Sequence, residues 1–92
     1  MKTNKFSWTF SKRGFNKFRK LDKSVQKRIA KWLEEHIQGT SDPRLQGKAL
    51  EGNLQTYWRY RVGKYRILAE IHDQEFIVLV IKVAKRNDVY KK

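Results

Sequence analysis

Phe6, Trp8 and Phe10 alternate with Ser7, Thr9 and Ser11, a period of two that predicts a half-buried strand over residues 6–11. Phe15 and Phe18, three apart among basic residues, then suit a short helix despite Gly14. From Asp22, in an N-cap position, Val25, Ile29, Trp32, Leu33 and His36 or Ile37 recur at helical spacing up to Gly39, which suits a C-terminal stop. Residues 39–53 collect most of the turn formers and the only proline, so they read as an irregular connection with room for one short turn.

Three strand-like segments follow: Tyr57 to Val62, Tyr65 to His72, and Phe76 to Ala84. Gly63-Lys64 reads as the two-residue loop of a type II′ hairpin, which pairs Val62 with Tyr65 and sets Arg61 opposite Arg66. Trp58, Tyr60 and Val62 then share an apolar face with Tyr65, Ile67, Ala69 and Ile71, and that face must meet the helices. Phe76 to Ala84 is apolar on both faces, as expected of an interior strand, and a tight turn at Asp73-Gln74 makes it the third strand of a meander. The expectation is one α+β domain over residues 1–92. It has an N-terminal strand, two helices packed on one face of the sheet, and a three-strand antiparallel meander. The first strand joins the far edge of the sheet, with its partner left open.

The hairpin pattern has an electrostatic cost. Arg59, Arg61 and Arg66 line one side of the ribbon, and like charges directly opposite one another destabilise a sheet. Either these side chains splay into water, where they protect a strand edge from pairing, or they hold an anion. The whole chain leans the same way: 22 Lys and Arg against 9 Asp and Glu give a net charge of +13, spread over both halves. A domain this basic is expected to sit beside a polyanion, whether nucleic acid, an anionic membrane or an acidic protein.

Other chemistries find little support. There is no cysteine, hence no disulfide, thiol nucleophile or thiolate metal site. The start "MKTNKFSWTF" runs into no continuous apolar stretch, and no segment approaches the ~18–20 apolar residues of a membrane span. The expected location is therefore the cytoplasm. His36 near a helix end and His72 beside a turn have structural explanations, no His pair has metal spacing, and neither a phosphate loop nor a nucleophile elbow occurs. No metal or cofactor is expected. Lys85, Arg86 and Tyr90 emerge from the last strand in "VAKRNDVYKK", and a meander sets them near the arginine face. Tyr90 either anchors the chain's end against the sheet or serves a ligand there.

The "WRYRVGKYRI" hairpin and the "KRNDVY" ending together resemble the RelE/ParE superfamily of bacterial toxins, the RelE branch most closely. The order of elements fits over nearly the whole chain, and the specific likeness begins near Leu50. The resemblance implies a microbial RNase-like fold and a metal-independent endonuclease that cuts messenger RNA in the ribosomal A site. The RNA's own 2′-hydroxyl is the attacking group. It implies catalytic roles for Arg66 and Arg86 on the phosphate and for Tyr90 in base stacking or proton transfer. Arg59, Arg61 and Lys85 are implied in RNA binding. Arg66→Ala and Arg86→Ala are expected to lose activity and keep the fold.

Two departures stand out. Ala84-Lys85 precedes Arg86 where many relatives have Gly-His, and arginine replaces lysine at Arg59 and Arg61. A guanidinium with a pKa above ~12 is a poor proton carrier, so phosphate binding is kept and the general base is left open. The family further implies an acidic cognate antitoxin, contacts with ribosomal RNA, and promoter DNA bound only through the antitoxin. A ParE-type gyrase poison, or a non-catalytic RNA- or ribosome-binding module, are the competing readings. The complete "K-R-x-D-V-Y" ending argues for the endonuclease.

Overall fold

The computed structural model describes residues 5–49 and 57–85. The elements are β1 (Ser7–Phe10), α1 (Lys12–Phe18), α2 (Lys23–His36), β2 (Lys48–Ala49), β3 (Tyr57–Val62), β4 (Tyr65–His72) and β5 (Ile77–Lys85). They form one five-stranded sheet in the order β1-β5-β4-β3-β2. The meander β3-β4-β5 is antiparallel, and β1 pairs parallel to β5 from Ser7 opposite Ile77 to Phe10 opposite Val80. That pairing supplies the partner the sequence left open. The connection after Gly39 is not wholly irregular, because Lys48 and Ala49 pair with Arg59 and Trp58 as a short edge strand.

The helices meet the predicted apolar face. Ile29 and Leu33 from α2 and Ile37 at its C-cap are fully buried with Tyr60, Ile67, Ala69, Val78 and Val80, and Phe6, Phe18, Val62 and Val83 complete the core. Asp22 holds the N-cap position of α2, yet its side chain makes no capping bond. Gln26 Nε2 instead donates to the Leu21 and Arg19 carbonyls, at 2.7 and 3.1 Å. At the other end the Gly39 N–H donates to the Phe6 carbonyl and the Phe6 N–H to Thr40, each at 2.8 Å, which ties α2 to the start of β1.

Gly14 explains how α1 reaches the sheet. A Cβ at this position would overlap the Val80 carbonyl oxygen, so glycine's usual helix penalty is accepted here for close approach to β5. From there α1 reaches around the β5 edge beyond the end of β1, with Ser11 N–H donating to the Val80 carbonyl at 2.9 Å.

The first hairpin forms as its sequence requires. Gly63 has φ +59° and Lys64 is not in the positive region, as in a type II′ turn, and Val62 faces Tyr65. The second turn is looser than expected: β5 begins at Ile77, and Phe76 takes φ +55° at the end of a four-residue turn. That unfavourable conformation is held by an edge-on contact with Phe6, centroids 5.4 Å apart, and by the Ser7 N–H bonding to its carbonyl at 2.9 Å.

The segment before β2 is fastened over the aromatic side of β3. The Tyr60 hydroxyl donates to the Pro43 carbonyl and Trp58 Nε1 to the Gln46 carbonyl, both at 2.6 Å. Arg44 donates in a fork to both Asp73 oxygens at 2.9 Å, bridging this segment to the β4–β5 turn. Burial pushes the Tyr60 hydroxyl pKa up, and the Arg44 fork holds the Asp73 carboxyl below its usual value. Among the described residues no helix is long and apolar enough to cross a membrane.

Candidate active site

Strand alternation sends Arg59 and Arg61 to the face away from α2, and the pairing of β3 with β4 fixes what lies beside them. Arg61 is directly opposite Arg66, and Arg66 is in turn opposite Ala84 on β5. The next row runs Lys48, Arg59, Leu68, Lys82 across β2, β3, β4 and β5. The crowded arginines predicted from the hairpin are therefore present, with two lysines added in the adjacent row. A depression of about 260 Å³ lined by Gly47, Lys48, Arg59 and Arg61 opens at the β2–β3 end.

The three arginines differ in exposure. Arg61 is exposed and Arg59 half-buried, whereas Arg66, on the middle strand, is 3% exposed. Arg66 thus fills space as well as carrying charge, so Arg66→Ala is expected to cost stability as well as activity. A guanidinium fixed by its surroundings keeps its donors aimed, which is what forked binding of two phosphate or carboxylate oxygens needs and what a mobile surface arginine lacks.

Lys85 is placed differently from expectation. It pairs with Tyr65, two residues beyond the pair of Val83 with Ile67, and so belongs to the side that meets the helices and not to the Arg66 side. There it lines a cleft of about 470 Å³ with Arg13, Lys17 and Lys20 of the α1 region. Arg86 and Tyr90 lie outside the described residues.

The reason for this placement is a β-bulge. Leu68 pairs with Lys82 and Ala69 with Val80, so Ile81 is an extra residue in β5. Before it, Val78 and Val80 face the core; after it, Val83 does. The bulge turns Lys82 toward the arginine side and Lys85 away from it. Sequence reasoning missed Lys82 and Lys48 as members of the basic face. Lys82 interrupts an otherwise apolar run, the one signal that marked it, and Lys48 carried none because β2 is two residues long.

Both histidines have structural partners. His36 Nδ1 lies 3.0 Å from the Trp32 carbonyl, and His72 Nε2 lies 2.9 Å from Glu70 Oε1.

Comparison with known proteins agrees with this architecture. Residues 9–90 match the model of the ParE toxin of the type II toxin-antitoxin system, parDE. The mRNA interferase toxin RelE of Escherichia coli strain K12 is 31% identical over 84 residues, covering 88% of this chain and 85% of that protein. The crystal structure of isolated E. coli RelE superposes with a TM-score of 0.71 at 27% identity, over 92% of this chain and 90% of that one. The toxin-antitoxin complex RelBE2 from Mycobacterium tuberculosis gives 0.79 at 22% identity, over 92% and 95%, a likeness of fold. With a family match over nearly its whole length and RelE as a relative in both sequence and structure, the chain belongs to the RelE/ParE superfamily of type II toxin-antitoxin toxins, in its RelE branch.

Proposed function

We propose that this toxin is a ribosome-dependent endoribonuclease that cuts messenger RNA in the A site and thereby stops translation. The observation that carries the reading is the buried Arg66, faced by Arg61 and flanked by Arg59 on a basic sheet face, in a chain related to an mRNA interferase. In the reaction the 2′-oxygen of a nucleotide attacks the adjacent phosphorus and its proton is removed. The bond to the 5′-oxygen breaks, that oxygen gains a proton, and a cyclic phosphate and a 5′-hydroxyl result. Negative charge grows on the phosphoryl oxygens along the way, and fixed guanidinium donors are the groups that stabilise it. Arg66 is assigned to those oxygens. Arg59 and Arg61 hold the backbone on either side, with Lys85 contacting RNA from the α1 side.

Arg86 and Tyr90 take their roles from the "K-R-x-D-V-Y" motif: Arg86 as a second phosphate ligand and Tyr90 as a stacking or proton-transferring group. The charge also suits an acidic antitoxin, whose carboxylates would neutralise the same arginines while covering the site. The E. coli RelBE structure, which superposes with a TM-score of 0.71 at 26% identity, is a toxin-antitoxin complex, and that supports an antitoxin as the partner.

The test is 5′-end mapping of a defined messenger incubated with the protein, with and without translating ribosomes, beside the Arg86→Ala variant. Cuts within codons that need ribosomes and vanish in the variant support the assignment. An intact messenger while growth is still arrested overturns it and directs attention to DNA gyrase, the target of a ParE-type reading.

A further inference from the structure

A second concavity lies on the arginine side of the sheet, further along β4, and nothing in the proposed cleavage step uses it. Its volume is about 530 Å³, and its floor and walls include Leu68, Ile81, Tyr57, Glu70, Lys82 and Arg13. The bulge at Ile81 builds it, since the extra residue places Ile81 and Lys82 together on its rim. Tyr57 and Glu70 are cross-strand partners, so an aromatic ring and a carboxylate stand side by side over an apolar floor, with cations around them.

This composition matches one nucleotide unit. An aromatic ring offers a stacking surface to any base, the cations suit its phosphate, and an ionised carboxylate accepts hydrogen bonds without donating any. Glu70 is also oriented: His72 Nε2 sits 2.9 Å from its Oε1, which leaves acceptor positions on the carboxylate for a ligand. A carboxylate selects for bases by the donors they present. Guanine alone puts two adjacent N–H donors, N1–H and the N2 amino group, on its Watson–Crick edge. The distance is also suitable, because Leu68 on the cavity floor is two residues from Arg66, roughly 7 Å along the strand.

We propose that this cavity is a base-reading subsite beside the cleaved phosphate, in which Tyr57 stacks on a base and Glu70 favours guanine. The inference rests on the endonuclease reading and names what would set its codon preference.

The experiment maps cut sites in a codon-randomised messenger on translating ribosomes for the wild type, Glu70→Gln, Tyr57→Phe and Tyr57→Ala. The wild type is expected to favour guanine at one fixed position relative to the cut. Glu70→Gln, which replaces an acceptor by a mixed donor and acceptor, should lower cutting at those codons about tenfold or more and leave the others unchanged. Tyr57→Phe should behave as wild type, whereas Tyr57→Ala should weaken cutting at every codon.

A wild type that cuts nothing removes the endonuclease reading and this inference with it. A wild type that cuts, with a base profile unaltered by Glu70→Gln, overturns the subsite alone. The same holds if Glu70→Gln changes only neutralisation by the antitoxin, which would make the cavity an antitoxin seat.

Discussion

Arg61 and Arg66 face each other directly across the β3–β4 ladder, and one is exposed while the other is almost completely buried. Two like charges in register are tolerated because only one must remain within the protein; the other extends into water. The same asymmetry separates their mutational effects. Arg66→Ala should cost on the order of 3 kcal/mol of stability, from the void and the loss of an integrated buried charge. It should also lower messenger cleavage ~10²- to 10³-fold. Arg66→Lys should recover much of the stability and little of the cleavage, since a point charge lacks the fork. Thermal unfolding beside end mapping checks this, and an Arg66→Ala protein that melts with the wild type would contradict it.

Arg61→Ala should change stability by no more than about 0.5 kcal/mol, because the side chain is exposed and its removal relieves a like-charge pair. Its effect belongs to RNA binding. The slope of log K against log salt for a single-stranded RNA should fall by about 0.7, one phosphate contact's worth. Filter binding over a salt series measures that slope directly.

Gly14→Ala should destabilise the fold, against the usual gain from replacing a helical glycine. The new methyl group has no room against the Val80 carbonyl, and backbone cannot step aside as a flexible side chain does. A loss of about 1–3 kcal/mol is expected from overpacking. Urea unfolding should give a lower midpoint at an unchanged m-value.

Tyr60 links stability to alkaline pH. Burial raises its folded pKa above the unfolded value of ~10, so its contribution is complete below pH ~10 and declines as pH rises toward the folded value. Tyr60→Phe removes the bond to the Pro43 carbonyl, costing about 1–2 kcal/mol at neutral pH. The variant should also show a flatter decline above pH 10 in denaturant titrations. An equally steep decline would assign the alkaline sensitivity elsewhere.

Asp73 sets the complementary acid limb. The Arg44 fork depresses its pKa, so the stabilisation is present above the unfolded value of ~3.9 and is lost as pH falls through the folded one. Both partners are substantially exposed, which keeps the effect small and salt-sensitive. Asp73→Asn should melt below the wild type at pH 7 in low salt, and the gap should narrow as pH falls below ~3.9 toward the folded value.

Local patterning carries information wherever one face of an element is wet. The alternation in β1, the helical spacing of Ile29, Leu33 and Ile37, and Gly63 at the turn were all readable in the sequence. Together these determined by themselves the helix-meander order, the apolar face of the first hairpin and the pairing of Arg61 with Arg66. A two-residue turn transmits register directly, so that pairing needed no tertiary context. The tertiary structure alone decided three things. The parallel pairing of β1 with β5 joins segments some seventy residues apart, with no turn to transmit register. The bulge at Ile81 left Lys82 as its one trace, because the strand is otherwise apolar on both faces and a one-residue slip hardly alters the pattern, yet it separates Lys82 from Lys85 and shapes the second cavity. The burial of Arg66 follows from β4 lying at the centre of the sheet, a property of strand order and not of any residue's neighbours in the chain.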